Sequence, residues 1–234
     1  AAFADVVLLP RLRRALASIN PTIPSEAIED AIKQVTTSET PNLTEENRRI
    51  HSLITEGVSV EYRSRDGRIV GDTVWLIDFT DIDKNDWLVL NQFTVIEARH
   101  TRRPDVVCFI NGLPVAVVEL KNPADENATL TSAFNQLQTY KAEIPALFQT
   151  NSVMVTSDGM LERIGSLTAQ EERFMPWRTI DGHDEPAASL MELDVLLRGV
   201  FQSDLFLELI RDFLVFGDQG DGPFKIVAGY HQFH

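Results

Sequence analysis

The stretch Arg103-Pro-Asp-Val-Val-Cys-Phe-Ile-Asn-Gly-Leu-Pro-Val-Ala-Val-Val-Glu-Leu-Lys-Asn122 predicts two apolar strands joined by a tight turn. The first strand is expected over residues 105–110 and the second over residues 115–121. Asn111-Gly112 is a strong hairpin signal, because both residues tolerate the positive φ angles that a tight turn needs. Pro114 stands at the start of the second strand, where a missing N–H donor costs little. The sequence therefore predicts a β-hairpin here.

Three charged residues interrupt these apolar strands: Asp105, Glu119 and Lys121. Glu119 and Lys121 are two residues apart, so they project from the same face of one strand. If residues 111–113 form a three-residue loop, Asp105 falls opposite Glu119. Cross-strand neighbours have Cβ atoms about 5 Å apart, close enough for two carboxylates to share one cation. A two-residue turn would shift the pairing by one and weaken this geometry.

The chemistry of this charged cluster favours a divalent cation. Two close carboxylates repel each other unless a cation lies between them. Mg²⁺ prefers oxygen ligands and is typically held by one or two carboxylates, and the main-chain carbonyl of Leu120 could add another oxygen. Lys121 could hold an attacking water while the metal polarises a phosphodiester. A structural salt bridge is the alternative, but the Pro-Asp pair one strand before Glu-x-Lys favours the metal site.

Composition and charge limit the possible functions. With 234 residues the chain can form one large domain or two small ones, and no segment is long and apolar enough to span a membrane. No signal peptide is apparent, and Cys108, the single cysteine, is expected in the core, which fits a reducing compartment such as the cytoplasm. The net charge of −14 argues against a self-sufficient nucleic-acid binder, but not against an enzyme acting on DNA that other domains hold.

The hydrophobic pattern predicts an α/β fold, a mixed sheet flanked by helices. Ser25 is expected to cap the second helix and Thr44 the third. Expected helices cover residues 5–19, 25–35, 44–57 and 126–142, and expected strands cover residues 58–63, 69–79, 87–97 and 152–156. Residues 162–178 appear irregular and anchored by Trp177, helices are expected over 190–197 and 203–216, and 217–222 has the composition of a linker. The predicted division is a domain over 1–160, an extension over 161–216, and a linker with a new domain's start over 217–234.

The charged residues of the predicted hairpin match the sequence pattern of a known family. Pro104-Asp105 followed by Glu119-Leu120-Lys121 resembles the PD-(D/E)-x-K nuclease superfamily, whose core is restriction-endonuclease-like. Gln136 and Tyr140 form Gln-x-x-x-Tyr on one face of the following helix, which resembles the RecB-like branch. The runs 91–95, 115–123 and 134–140 are similar to the restriction subunit of type I restriction enzymes, and this resemblance extends over nearly the whole chain.

The resemblance implies roles for individual residues. Asp105 and Glu119 would bind Mg²⁺ together with the Leu120 carbonyl, and Lys121 would assist the nucleophile. Gln136 and Tyr140 would support the site or contact the DNA backbone, with ordinary helix packing as the alternative. Many members carry a further acid on the first helix; Asp5 is the candidate here, ahead of Glu26 and Glu29.

The end of the chain, Phe224-Lys-Ile-Val-Ala-Gly-Tyr-His-Gln232, resembles the lead-in to the motor domain of the same subunit. The resemblance implies that Gln232 reads adenine of ATP in the full-length subunit. No Gly-x-x-x-x-Gly-Lys-Ser/Thr follows, so this stretch of chain is not expected to hydrolyse ATP. The missing initial Met and the abrupt end suggest a piece of a longer protein.

The resulting hypothesis is the N-terminal nuclease region of a type I restriction subunit, cutting DNA with Mg²⁺ after ATP-driven translocation. The implied partners are double-stranded DNA and the modification (methyltransferase) and specificity subunits. One alternative is a RecB-like repair nuclease. Another is a docking or coupling module that keeps the nuclease fold without the chemistry, although a costly cluster of Asp105, Glu119 and Lys121 argues against it.

Overall fold

A five-stranded mixed sheet forms the centre of the structure, a computed structural model that describes residues 6–64, 66–122, 129–183, 190–220 and 222–233. The helices are α1 (Leu9–Ile19), α2 (Ser25–Thr36), α3 (Leu43–Glu56), α4 (Leu130–Glu143), α5 (Glu192–Gly199), α6 (Ser203–Asp212) and α7 (Tyr230–Phe233). The strands are β1 (Val58–Arg63), β2 (Ile69–Val74), β3 (Trp87–Asn91), β4 (Val95–Glu97), β5 (His100–Arg102), β6 (Val106–Ile110), β7 (Leu113–Leu120), β8 (Val153–Ser157), β9 (Glu162–Gly165), β10 (Leu214–Gln219) and β11 (Gly222–Val227). The predicted α/β fold is confirmed.

The order of strands in this sheet is β3-β6-β7-β8-β9. Only β7 and β8 run parallel, and the connection between them passes through α4, which packs against both strands. The inner strands are almost wholly buried, as expected where helices cover a parallel pair. No helix among the described residues is long and apolar enough to cross a bilayer.

The β6–β7 hairpin has a two-residue turn, so the three-residue loop was wrong. Ile110 pairs directly with Leu113 across Asn111 and Gly112. Asn111 has φ 52° and Gly112 has φ 83°, the left-handed values that an Asn-Gly turn supplies. By itself this turn would have moved Asp105 away from Glu119.

A β-bulge restores the predicted register. Phe109 pairs with Pro114, whereas Cys108 pairs with Ala116, so Val115 is an extra residue on the second strand. The pairing then continues to Val106 opposite Val118, and its next step places the two predicted carboxylates opposite each other. The predicted pairing is therefore correct, but a bulge produces it and not a longer loop.

The turn of this hairpin is buried under α1. Asn111 is fully buried, and its Nδ2 donates to the carbonyl of Leu76 at 2.8 Å. Its Oδ1 accepts from the backbone N–H of Asp86 at 2.7 Å. The N–H of Leu8 donates to the Gly112 carbonyl at 2.9 Å, just before α1 begins. These bonds fix one end of the hairpin and leave its charged end at the opposite edge.

Two predicted helix caps were wrong. Ser25 is the first residue of α2, whose preceding residue makes no side-chain cap. The cap of α3 is Asn42, whose side chain accepts from the N–H groups of Thr44 and Glu45. Asn42 is the cap because it precedes the helix, where its side-chain carbonyl oxygen reaches the free N–H groups of both Thr44 and Glu45.

Several predicted elements have different bounds in the structure. The expected strand 69–79 ends at Val74, and the expected strand 87–97 splits into β3 and β4, which lie in different sheets. Residues 162–178, predicted to be irregular, begin with β9, although Trp177 is buried as predicted. The helix predicted over 203–216 ends at Asp212.

The stretch 217–222 has the composition of a linker, but its residues 217–219 end β10 and Gly222 begins β11, and these two strands pair antiparallel. Lys225 of β11 is almost completely buried, and its Nζ donates to the Asn47 side chain at 3.1 Å and to the Asn151 carbonyl at 2.7 Å. The hairpin therefore packs on α3 and on the segment before β8. The division of the chain into domains at 160 and 216 stays a prediction.

Candidate functional site

Asp105 lies immediately before β6 and is held by two neighbours. Its Oδ2 accepts from the backbone N–H of Leu120 at 2.9 Å, which ties it to the far end of β7. Its Oδ1 accepts from Nε2 of Gln92 at 2.6 Å, and its carbonyl accepts from the Gln92 N–H at 2.9 Å. Gln92 adopts the left-handed φ of 53°, which is uncommon outside glycine. The half-buried carboxylate is thus fixed in orientation.

Glu119 lies on β7 and is only 4 % exposed. Its Oε1 accepts from Nζ of Lys121 at 2.9 Å. Its Oε2 is buried and has no partner within ordinary hydrogen-bond distance among the described residues, although the Tyr140 phenol interacts with this carboxyl and acts to lower its pKa. Burial raises the pKa of this carboxyl, the negative charge of Asp105 raises it further, and Lys121 partly offsets both effects. An unpartnered, buried carboxylate oxygen is costly unless a cation or a proton meets it.

Tyr140 of α4 joins the same cluster. Its ring is buried, and burial raises the pKa of its phenol, followed by the negative charges of Glu119 and Asp105. Arg102 opposes this rise in pKa, and its guanidinium pairs with Glu143, three residues after Tyr140 on α4. Gln136, one turn earlier on α4, is half-buried, and its side chain makes no hydrogen bond to a described residue. The structure therefore brings Tyr140 to the carboxylates but gives Gln136 no hydrogen bond to them.

None of the other predicted residues that the structure describes joins the cluster. Asp5 lies outside the described residues. Glu26 is exposed on α2, and Glu29 is paired with Arg13 at 2.7 Å, so neither is linked to the hairpin carboxylates. The Gln232 side chain accepts from the Gly229 N–H at 3.1 Å and caps α7, a local role that leaves its adenine contact a prediction.

The residues present fit a hard divalent cation. Asp105 and Glu119 offer carboxylate oxygens, and the orphaned Oε2 of Glu119 supplies a position where a cation would replace a missing hydrogen bond. The described residues contain no group of three His, Cys, Asp or Glu side chains suited to a metal. Two carboxylates and a carbonyl such as that of Leu120 suit Mg²⁺, which keeps several waters, better than a metal that needs a full protein cage.

Gln92 is the residue that sequence reasoning missed. It lies in the run 91–95 that carried part of the family resemblance, but its role depends on a left-handed backbone and a cross-strand approach. Arg102 was also missed, and it is bound to Glu143 at the end of α4. Its only sequence signal was its place three residues before Asp105.

Comparison with known proteins shows the family of this chain. Residues 1–173 match the family model described as the type I restriction enzyme R protein N terminus. The chain belongs to this family. The recognition made from the hairpin motif is thereby confirmed.

Curated relatives carry the same family name. The chain is 38% identical over 235 residues to the Haemophilus influenzae protein named type I restriction enzyme HindI endonuclease subunit. It is 32% identical over 251 residues to a Methanocaldococcus jannaschii protein provisionally named as the MjaIXP type I endonuclease subunit. Each alignment covers 99% of this chain, but only 22% and 23% of those relatives. The chain therefore spans less than a quarter of their length.

Proposed function

We propose that this N-terminal region of a type I restriction endonuclease subunit is its nuclease, and that it hydrolyses DNA phosphodiester bonds with Mg²⁺. The observation that carries the proposal is the buried Oε2 of Glu119, which no described residue meets within ordinary hydrogen-bond distance, although Asp105, Lys121 and Tyr140 all act on this carboxyl. Here one oxygen is left available for a ligand.

Each side chain has a distinct role in this proposal. Asp105 and Glu119, with the Leu120 carbonyl, would hold Mg²⁺, which when bound polarises the phosphodiester and stabilises its developing charge. Gln92 and the Leu120 N–H keep the Asp105 carboxylate in place. Lys121, held by Glu119 Oε1, would donate a hydrogen bond to the attacking water.

The bond changes are those of hydrolysis. The water oxygen forms a bond to phosphorus while the bond to the leaving oxygen breaks. The water gives up one proton, and the leaving oxygen receives one. The Lys121 ammonium is positioned to stabilise the hydroxide character of the nucleophile, and the buried Tyr140 phenol keeps its proton and can donate to an oxygen of the cluster.

The wider assembly is also part of the proposal. The family's longer members are named endonuclease subunits, which fits cleavage by a complex with modification and specificity subunits. We propose that motor segments outside this region bind ATP, with Gln232 reading its adenine, and move double-stranded DNA. A net charge of −14 is consistent with most of the DNA-gripping surface lying on those other parts.

Plasmid cleavage by the full-length subunit, assembled with its partners and supplied with ATP and Mg²⁺, tests the proposal. Lys121→Ala and Glu119→Gln should each lower cleavage by at least about 100-fold, as expected for groups that stabilise the transition state. ATP hydrolysis should stay at the wild-type level. Glu61→Gln removes an equal charge from an exposed position on β1 and should cut normally. Normal cleavage by both site variants would refute the proposal.

A further inference from the structure

A two-stranded ribbon, β4–β5, leads directly into Asp105. Its strands pair antiparallel from Val95 opposite Arg102 to Glu97 opposite His100. The connecting residues are Ala98, with a left-handed φ of 51°, and Arg99. Residues 99–103 contain three arginines and a histidine in a chain whose net charge is −14. Positive charge is thus concentrated in one short element beside the candidate site.

One face of the ribbon is anchored to the protein. His100 lies 3.4 Å from the Glu143 carboxylate, and Arg102 forms an ion pair with the same group at the end of α4. The Glu97 carboxylate accepts from the Ala146 N–H at 3.0 Å. These contacts hold the ribbon in a fixed orientation, and they occupy the carboxylates of Glu97 and Glu143.

The remaining arginines are available to a ligand. Arg99 and Arg103 are exposed, and neither forms an ion pair or side-chain hydrogen bond with any residue that the structure describes. By contrast, Arg11 and Arg13 of α1 are paired with Asp86 and Glu29. The ribbon therefore presents unpaired guanidinium groups, the side chain best suited to phosphate oxygens.

The ribbon is close enough to act on the same substrate as the site. Arg103 lies two residues before Asp105, at most about 7 Å along the chain, and Arg99 at most about 20 Å. One strand of duplex DNA carries a phosphate every 3.4 Å of axis, so 20 Å corresponds to about six nucleotides. Arg102 of the ribbon pairs with Glu143, which lies three residues after Tyr140 on α4, so the ribbon is tied to the helix that carries Tyr140 into the cluster.

We propose that the β4–β5 ribbon binds the phosphate backbone of double-stranded DNA next to the bond to be cut, through Arg99 and Arg103. This inference rests on the proposed nuclease function and gives it a surface for its substrate. The two arginines contact phosphates and read no sequence, so they position the duplex and do not select it.

DNA binding by the full-length subunit as a function of salt tests the ribbon. All proteins carry Glu119→Gln to prevent cutting, and Arg99→Ala/Arg103→Ala is compared with the parent. Each lost phosphate contact should make the slope of log affinity against log salt concentration shallower by about 0.9. This corresponds to about eightfold in affinity over a tenfold change in salt concentration. The double variant should therefore lose nearly two units of slope. Arg14 is exposed on α1 and pairs with no acidic side chain that the structure describes. Because α1 packs at the turn end of the hairpin, Arg14→Ala should keep the parent slope.

Photocrosslinking gives a readout that does not depend on affinity. A benzophenone side chain introduced at position 99 should crosslink to duplex DNA in the assembled enzyme, and one at position 14 should not. An unchanged salt slope in the double variant, together with equal crosslinking from positions 99 and 14, would overturn the ribbon proposal. Failure of the nuclease proposal would appear separately, as normal plasmid cutting by Glu119→Gln with both arginines intact.

Discussion

Gln92 should control cleavage without touching the metal or DNA. Its Nε2 donates to Asp105 Oδ1 at 2.6 Å, a charge-assisted bond worth about 1.5–3 kcal/mol. Its left-handed φ of 53° costs about 1–2 kcal/mol for a side chain other than glycine. Two substitutions separate these effects. Gln92→Ala removes the hydrogen bond and keeps the strain, whereas Gln92→Gly removes both.

The expected results differ between stability and activity. Both variants should cut plasmid about 10–100-fold more slowly, the usual cost of losing a partner that orients a metal-binding carboxylate. Gln92→Gly should be more stable to denaturant than Gln92→Ala by about 1 kcal/mol, because glycine relieves the strain. The backbone bond from residue 92 to the Asp105 carbonyl survives in each variant.

The assay is plasmid cleavage by the assembled full-length enzyme over a range of Mg²⁺ concentrations. Loss of orientation should raise the Mg²⁺ concentration needed for half-maximal cutting. Gln170→Ala is the matched control, since this glutamine is exposed and its side chain makes no hydrogen bond to a described residue. Wild-type rates from both Gln92 variants, with the same Mg²⁺ dependence, would refute the positioning role.

Three further predictions concern stability, measured by denaturant unfolding of the full-length subunit. Gly112→Ala should cost about 1–3 kcal/mol, because φ is 83° and the new Cβ would lie 2.7 Å from the Leu8 carbonyl oxygen. Burial raises the pKa of Glu162 from 4.5 to about 8, so stability should fall as pH rises from 4.5 through 8, and Glu162→Gln should abolish this fall. Burial lowers the pKa of Lys225 from 10.5 to about 7, so stability should rise from pH 7 to 10.5, and Lys225→Met should remove the rise.

The central hairpin shows what the sequence could predict. Asn111-Gly112 marked the turn, and an assumed three-residue loop over residues 111–113 placed Asp105 opposite Glu119. The bulge at Val115 could not be predicted, because it depends on bonds from distant residues. One of them is the 2.7 Å bond from the Ser152 N–H to the Val115 carbonyl. The predicted register was correct, but a bulge and not the predicted three-residue loop produces it.

Some residues of the candidate site could be predicted from local sequence patterns, and others could not. Glu119 and Lys121 share a strand face by simple periodicity, and Tyr140 follows them on a helix, so local patterns were sufficient to find them. Gln92 reaches Asp105 through a left-handed residue and a strand crossing, which no local pattern indicates. Whether Gln136 has a role in the site stays a prediction.

The β10–β11 hairpin shows where composition misleads. Gly217-Asp-Gln-Gly-Asp-Gly222 is typical both of a linker and of a hairpin turn, since both need glycine and aspartate. Pairing of Leu214 with Val227 and burial of Lys225 decide between them, and both are tertiary. A buried lysine that pairs with no described carboxylate is also contrary to what a surface linker predicts.

Metal binding tests the central claim most directly. Mn²⁺ bound to the full-length subunit, without nucleotide, can be followed by electron paramagnetic resonance in the wild type, Glu119→Gln and the exposed control Glu61→Gln. We predict that the wild type and the control bind a Mn²⁺ ion that Mg²⁺ displaces. The Glu119→Gln variant should not bind this ion. Equal number and affinity of Mn²⁺ ions in all three proteins would contradict a metal site at Asp105 and Glu119.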